Sequence, residues 1–141
     1  PVEKQGLILE AHKNFLLVIS YNPGYQNVLK DLKPSTRQRF IAIDFDYPDE
    51  AKETEVIQHE SGVDKAVAKS LATLGAKVRN LKHHGFDEGV STRLLVYAAQ
   101  LIVSGVSHVR ACDVAISRAV SDDPEVSKAI SELVSTLFVS E

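Results

Sequence analysis

The chain has 141 residues, of which 44% are hydrophobic and 25% are charged, a composition that excludes a disordered segment or a coiled coil. Its net charge of −3 and its lack of a lysine- and arginine-rich stripe argue against a nucleic-acid-binding surface. No apolar run approaches the roughly 20 residues of a membrane span, and the single cysteine excludes an internal disulfide and predicts a reducing compartment.

The first predicted element is a buried strand over residues 15–20, where Phe-Leu-Leu-Val-Ile-Ser is apolar almost throughout. Asn22 follows this strand and precedes Pro23-Gly24, which predicts a tight turn. Ligands bind at the carboxyl ends of strands in open parallel sheets, so Asn22 is placed to contact a ligand. An Asn at this position also commonly serves only to form the turn, with its side chain bonded to nearby backbone.

A second buried strand is predicted over residues 40–45, directly after two arginines, Arg37 and Arg39. The arginines belong to the sequence Lys-Pro-Ser-Thr-Arg-Gln-Arg-Phe at residues 33–40. Judged by residue type alone, both are ordinary surface side chains beside a strand. The two strands together predict an α/β segment over residues 1–47.

After residue 47 the hydrophobic pattern changes to a helical period. Asp49 follows Pro48 and is a candidate cap for the first helix. Glycines and an Asp-Asp-Pro sequence separate five predicted helices, which cover residues 49–61, 63–81, 91–104, 107–121 and 124–138. The third of these helices is apolar on most sides, which predicts that it lies at the centre of an all-helical bundle over residues 48–141.

Arg93 lies in the first turn of this central helix, at the end of the sequence Gly-Val-Ser-Thr-Arg. Ser91 is the predicted N-cap, which places Arg93 two residues into the helix. A positive charge there opposes the helix dipole at a cost of about 0.3–1 kcal/mol, which indicates a partner anion. That anion is either a ligand phosphate or a nearby carboxylate, Asp87 or Glu88.

Three phrases, at residues 20–25 (Ser-Tyr-Asn-Pro-Gly-Tyr), 33–40 and 89–93, resemble in their order and spacing the AAA+ ATPases of the MoxR group. The resemblance is strongest to the CbbQ/NorQ branch of that group and runs the length of the chain. It implies that the last strands of an ATPase core, over residues 1–47, lead into a helical lid.

The same resemblance implies a role for each candidate residue. Asn22 corresponds to the sensor 1 residue, whose neutral amide orients the attacking water or contacts the γ-phosphate. Arg39 corresponds to the arginine finger that reaches the neighbouring subunit and stabilises charge on the transferring phosphoryl group. Arg37 is the second candidate for the finger, and the sequence does not separate the two. Arg93 corresponds to sensor 2.

No Gly-x-x-x-x-Gly-Lys-Ser/Thr motif occurs in the sequence. By comparison with the family, the chain begins just after the magnesium-binding segment, so we expect the C-terminal part of a longer protein. ATP and Mg²⁺ are then bound mainly outside this chain, and the isolated chain is inactive. We predict no metal site within it, because the adjacent side chains of His83 and His84 point in different directions and make a poor chelate.

The family resemblance implies a ring-forming ATPase, expected to be a hexamer, that remodels a client enzyme together with a von Willebrand factor A-domain partner. Rubisco is the first expected client, and the expected location is the cytoplasm or a carbon-fixing compartment. Nitric oxide reductase is the alternative client. Two other functions stay open: a helical interaction domain without catalysis, and a nucleotide-binding regulatory protein that has lost hydrolysis.

Overall fold

The structure is a computed structural model that describes Gly6 and residues 10–20, 33–80 and 89–138. The chain divides into two compact units, Pro1–Asp44 and Phe45–Glu141. The assignment of residues 1–47 to an ATPase core and of residues 48–141 to a lid stays a prediction. Among the described residues, no helix combines the length and the hydropathy that crossing a membrane requires.

The two predicted strands are not formed. Residues 15–20 and 40–45 have no strand pairing, and most of their apolar side chains are exposed, with Leu16 80% and Ile41 93% accessible. A strand is stable only when neighbouring strands satisfy its backbone and other elements cover its faces. The described part of the chain supplies no such neighbours for either segment. The described residues therefore do not show the predicted α/β segment.

The described residues of the first unit contain one short helix, α1 at Pro34–Arg37. Proline suits the first helical position because its fixed φ angle matches the helix and its missing N–H has no partner there. The backbone N–H groups of Thr36 and Arg37 both donate to the carbonyl of Lys33, at 2.8 and 3.1 Å. The helix is a single turn and buries none of its residues.

In the described residues of the second unit every regular element is helical, as predicted. Its helices are α2 at Glu50–Ser61, α3 at Lys65–Asn80, α4 at Thr92–Val103, α5 at His108–Cys112, α6 at Arg118–Val120 and α7 at Pro124–Leu137. A π-helical turn at Asp113–Ser117, called the π turn below, joins α5 to α6. All five predicted helices are confirmed, and α5, the π turn and α6 together form the fourth.

Aspartate caps begin three of these helices. The side chain of Asp64 accepts a hydrogen bond from the backbone N–H of Ala66 at 2.7 Å at the start of α3. The side chain of Asp49 accepts a hydrogen bond from the backbone N–H of Lys52 at 2.7 Å, which confirms the cap predicted for α2. The side chain of Asp123 accepts one from the N–H of Glu125 at 2.8 Å and starts α7, where Pro124 is the first helical residue. Each carboxylate also lies at the positive end of a helix dipole, where it is stabilising.

Helix α4 lies at the centre of the bundle, where it packs against α2, α3, α5 and the π turn. Leu71, Leu74 and Val78 form a buried stripe on α3, and Leu95 of α4 belongs to the same core. The α3–α4 contact is close because Gly75 has no side chain: a Cβ atom there would stand 2.7 Å from Cδ1 of Leu95. The helix spacing at this level therefore depends on glycine.

Candidate functional site

A buried carboxylate, Glu53, joins three helices at the start of α4. Glu53 belongs to α2, and its side chain is 1% exposed. Its Oε1 accepts hydrogen bonds from Nη2 of Arg79 on α3 and from the hydroxyl of Thr92 on α4, both at 2.7 Å. Its Oε2 accepts a third from Nη1 of Arg79 at 2.8 Å. Three helices thus meet on one side chain.

The pair of Glu53 and Arg79 has the geometry that makes a buried ion pair tolerable. Two parallel N–H···O bonds between a guanidinium and a carboxylate are stronger than bonds between neutral groups and fix the relative orientation of both planes. Removing two charges from water costs several kcal/mol for each ion, and this cost is offset only where further hydrogen bonds satisfy the remaining polar atoms. The hydroxyl of Thr92 supplies one such bond.

Arg79 also contacts the segment that leads into α4. Its Nε donates to the carbonyl of Val90 at 2.8 Å. Its guanidinium lies over the ring of Tyr47, 3.8 Å from the ring centroid, which is a cation–π contact. The hydroxyl of Tyr47 lies 3.5 Å from the carbonyl of Gly89. We call the side chains of Tyr47, Glu53, Arg79 and Thr92 the Glu53 cluster.

Glycine at position 89 lets this segment approach the Glu53 cluster. A Cβ atom on Gly89 would stand 3.0 Å from Cγ of Arg79 and 3.3 Å from the hydroxyl oxygen of Tyr47. Both distances are shorter than ordinary van der Waals contacts, so a larger residue would displace the arginine or the tyrosine. Gly89 therefore serves close packing at this point.

The first turn of α4 has an unusual pattern of side chains. Ser91 is the N-cap residue, as predicted, but its side chain makes no capping hydrogen bond. The hydroxyl of Thr92, the first helical residue, points inward to Glu53. Arg93, the second, is exposed and makes no hydrogen bond or ion pair with any residue that the structure describes. In the first turn, Arg93 is therefore an exposed cation without a partner among the described residues, and its neighbour Thr92 is bonded to the core.

The other predicted site residues have different surroundings. Arg37 is the last residue of α1, Arg39 lies two residues beyond that helix, and both are exposed. These two arginines belong to the first unit, and Arg93 belongs to the second. Asn22 lies outside the described residues. The roles of all four residues stay predictions.

The alternative partners for Arg93, Asp87 and Glu88, also lie outside the described residues, as do His83 and His84.

The sequence does not predict the Glu53 cluster. Arg79 is 26 residues and Thr92 is 39 residues from Glu53, so no local motif contains them. One signal was available: Glu53 lies four residues before Ile57 and so shares its face of α2. Because Ile57 is fully buried, this spacing places a carboxylate on the core side of the helix, where it needs a partner.

Comparisons with known proteins identify the family of this chain. Residues 53–137, more than half of the chain, match the family model described as CbbQ/NirQ/NorQ C-terminal. The chain is 52% identical over 138 residues to protein CbbQ of Hydrogenophilus thermoluteolus, covering 98% of this chain and 52% of that protein. It is 47% identical over 138 residues to protein NorQ of Paracoccus denitrificans, covering 98% of this chain and 51% of that protein.

A third relative is the denitrification regulatory protein NirQ of Pseudomonas aeruginosa, which is 47% identical over 133 residues. That match covers 94% of this chain and 51% of NirQ, so the chain spans about half the length of the curated relatives it matches. The family match includes Glu53, Arg79, Thr92 and Arg93. The chain belongs to the CbbQ/NirQ/NorQ family, a branch of the MoxR-group AAA+ proteins.

Proposed function

We propose that this chain is the C-terminal part of a ring-forming AAA+ ATPase that uses ATP hydrolysis to remodel a client enzyme. Membership of the CbbQ/NirQ/NorQ family supports the ATPase class. In this proposal the helical unit is the lid of the ATPase. ATP and Mg²⁺ are bound mainly by residues of the longer protein outside this chain, and Mg²⁺ neutralises charge on the phosphates.

The observation that carries the proposal is the exposed cation in the first turn of α4. Arg93 has no partner among the described residues, and its charge opposes the dipole of its own helix. A guanidinium in this setting gains most from an external anion, and its five N–H donors match the oxygens of a phosphate. We assign Arg93 the sensor 2 role, in which it contacts the γ-phosphate and reports its presence to the lid.

The remaining roles are proposed from the family resemblance. Asn22 acts as sensor 1 and orients the attacking water. Arg39 acts as the finger on the nucleotide of the neighbouring subunit, and Arg37 is the alternative. Both arginines are exposed and therefore available to a second subunit. A hexameric ring supplies that subunit.

Rubisco is our first choice of client, with a von Willebrand factor A-domain protein as the further partner. The identity of 52% to CbbQ, against 47% to NorQ, favours this choice. Nitric oxide reductase is the second choice, supported by the match to a denitrification regulatory protein.

Substitution of Arg93 in the full-length protein tests the proposed site. Arg93→Ala should abolish hydrolysis and remove the extra thermal stability that ATP provides over ADP. Without nucleotide its melting temperature should be unchanged or slightly higher, because alanine is a better helix former and the unfavourable charge is gone. Melting curves without ligand, with ADP and with a slowly hydrolysed ATP analogue, beside an ATPase assay, measure these effects.

Arg118→Ala is the matched control, because Arg118 is also an exposed arginine of the bundle, with a side chain 69% accessible. This control should hydrolyse ATP normally. If Arg93 only pairs with Asp87 or Glu88, Arg93→Ala should instead lose stability in every nucleotide state and keep its ATPase activity. That outcome would remove the sensor 2 assignment.

A mixing experiment tests the finger and the ring. Arg39→Ala should lower hydrolysis by about 10³-fold or more, with nucleotide affinity nearly unchanged, because a finger acts mainly on the transition state. Adding a hydrolysis-dead protein that retains Arg39 should restore activity in mixed rings, and size analysis with nucleotide should detect those rings. Arg37→Ala is the control; if it is the inactive variant and Arg39→Ala is active, the two assignments exchange.

A further inference from the structure

The first turn of α4 lacks the side-chain cap that commonly holds such a turn in place. Ser91 has the extended backbone of an N-cap residue, but its hydroxyl bonds to no N–H of the helix. Only the backbone carbonyl of Ser91 bonds to the helix; it accepts hydrogen bonds from the N–H groups of Leu94 and Leu95 at 3.0 and 3.5 Å. Helix ends without side-chain caps fray readily. A side chain in this turn therefore keeps a fixed position only if another contact holds the turn.

The hydroxyl of Thr92 provides that anchor. It donates to Oε1 of Glu53 at 2.7 Å, and Glu53 is held in turn by two hydrogen bonds from Arg79. The carboxylate cannot shift without breaking this buried pair, because Glu53 is 1% and Arg79 is 12% exposed. The first helical residue of α4 is thus bonded to a rigid group formed by α2 and α3.

The same anchor determines where Arg93 points. Successive side chains of an α-helix are rotated by about 100° around the axis, so an inward residue at position 92 places position 93 to the side, away from Glu53. Thr92 is half-buried and Arg93 is exposed, in agreement with this geometry. Leu95 also holds α4, because it packs against Gly75 of α3. Thr92 is directly next to Arg93, whereas Leu95 is two residues away, so Thr92 has the more direct effect on the arginine.

We infer that Glu53 and Thr92 are positioning residues for Arg93: their hydrogen bond fixes the first turn of α4 so that the Arg93 guanidinium keeps one direction towards the nucleotide. The inference deepens the proposed function and rests on the sensor role of Arg93. Glu53 and Thr92 do not touch the nucleotide themselves. Their effect on hydrolysis passes through the arginine next to Thr92.

The test uses Thr92→Val in the full-length protein, because valine keeps the branched shape and loses only the hydroxyl. Glu53 retains both bonds from Arg79, so the bundle should fold. We expect kcat to fall about 10- to 100-fold, the effect of a displaced catalytic group. The KM for ATP should change little. The difference in melting temperature between the ATP analogue and ADP should shrink, as it does for Arg93→Ala.

Two control variants separate positioning from general stability. Thr92→Ser restores the hydroxyl and should recover the activity. Thr73→Val removes a similar bond, the one that the Thr73 hydroxyl donates to Oε1 of Glu50 at 2.6 Å between α3 and α2. Because that bond does not involve α4, Thr73→Val should hydrolyse ATP at the wild-type rate.

The double variant of Thr92→Val and Arg93→Lys tests whether Thr92 acts through the arginine, because lysine keeps the charge, loses the planar fork of donors and should leave measurable activity. Valine should lower kcat less in this background than in the wild type, because effects on one shared function are not additive. The inference is overturned if Thr92→Val keeps full kcat, if serine fails to rescue it, or if the valine lowers kcat as much in the Arg93→Lys background as in the wild type. If Arg93→Ala is itself fully active, the sensor role fails and this inference fails with it.

Discussion

Two carboxylates in the helical bundle accept hydrogen bonds from arginines in very different settings. Glu53 is 1% exposed and accepts three hydrogen bonds, two of them from a single guanidinium. Asp113, in the π turn, is 28% exposed and accepts from Arg110 at 3.0 Å and Arg118 at 3.3 Å, whose side chains are 64% and 69% exposed. The chemical groups are the same, but only the first pair is removed from water.

The two regions also differ in whether their buried polar atoms have hydrogen-bond partners. In the Glu53 cluster both carboxylate oxygens have partners. In the π turn, the fully buried hydroxyl of Ser117 has no hydrogen-bond partner among the described residues. Serines in the regular helices, such as Ser61 and Ser131, donate to the carbonyl four residues earlier. Ser117 lies in a wider turn and makes no such bond, so satisfaction of polar atoms depends on helix geometry.

The largest effect should come from breaking the buried pair. Arg79→Ala leaves the Glu53 carboxylate buried without its main partner, and we expect the free energy of unfolding to fall by about 3–5 kcal/mol. Chemical denaturation followed by circular dichroism measures this loss. The double variant of Glu53→Leu and Arg79→Met, which removes both charges and keeps the volume, should regain part of it. A loss for Arg79→Ala no larger than the roughly 1 kcal/mol of a surface pair would abolish the contrast with Asp113.

A smaller effect of opposite sign is expected at Ser117. Ser117→Ala removes a buried hydroxyl that has no partner in the described part of the chain, so the free energy of unfolding should rise by about 1 kcal/mol. Ser61→Ala is the matched control, because its hydroxyl donates to the carbonyl of Ile57 at 2.6 Å, and this variant should lose stability or stay neutral. Urea denaturation of both variants compares them directly. Equal losses in the two variants would show that Ser117 has a partner in solution.

The smallest effect is expected at the partly exposed carboxylate of Asp113. Asp113→Asn should change the free energy of unfolding by about 0.2–1 kcal/mol, because exposed ion pairs gain little over hydration. The change should shrink further at 1 M salt, where the screening length is about 3 Å. Glu55→Gln is the control, since Glu55 pairs with Lys52 and both side chains are at least 65% exposed. A loss at Asp113 that equals the loss at Arg79 would contradict the comparison.

In the candidate site, some features depend on neighbouring residues of the sequence and others depend on distant residues. Arg93 was predicted to lie in the first turn of a central helix, and it does, because Ser91 and the apolar pattern after it determine where α4 begins. The residues that hold this turn were missed. Glu53 and Arg79 come from two other helices, and their pairing depends on how those helices pack.

The sequence by itself determined the helices of the second unit, because helical hydrogen bonds and caps involve residues at most four apart and apolar spacing marks the buried face. It did not determine the strands predicted over residues 15–20 and 40–45, because a strand exists only through pairing with distant segments. The tertiary structure alone decided that Glu53 is buried and that Arg79 and Thr92 reach it. A carboxylate enters a core only where packing brings its hydrogen-bond donors to it.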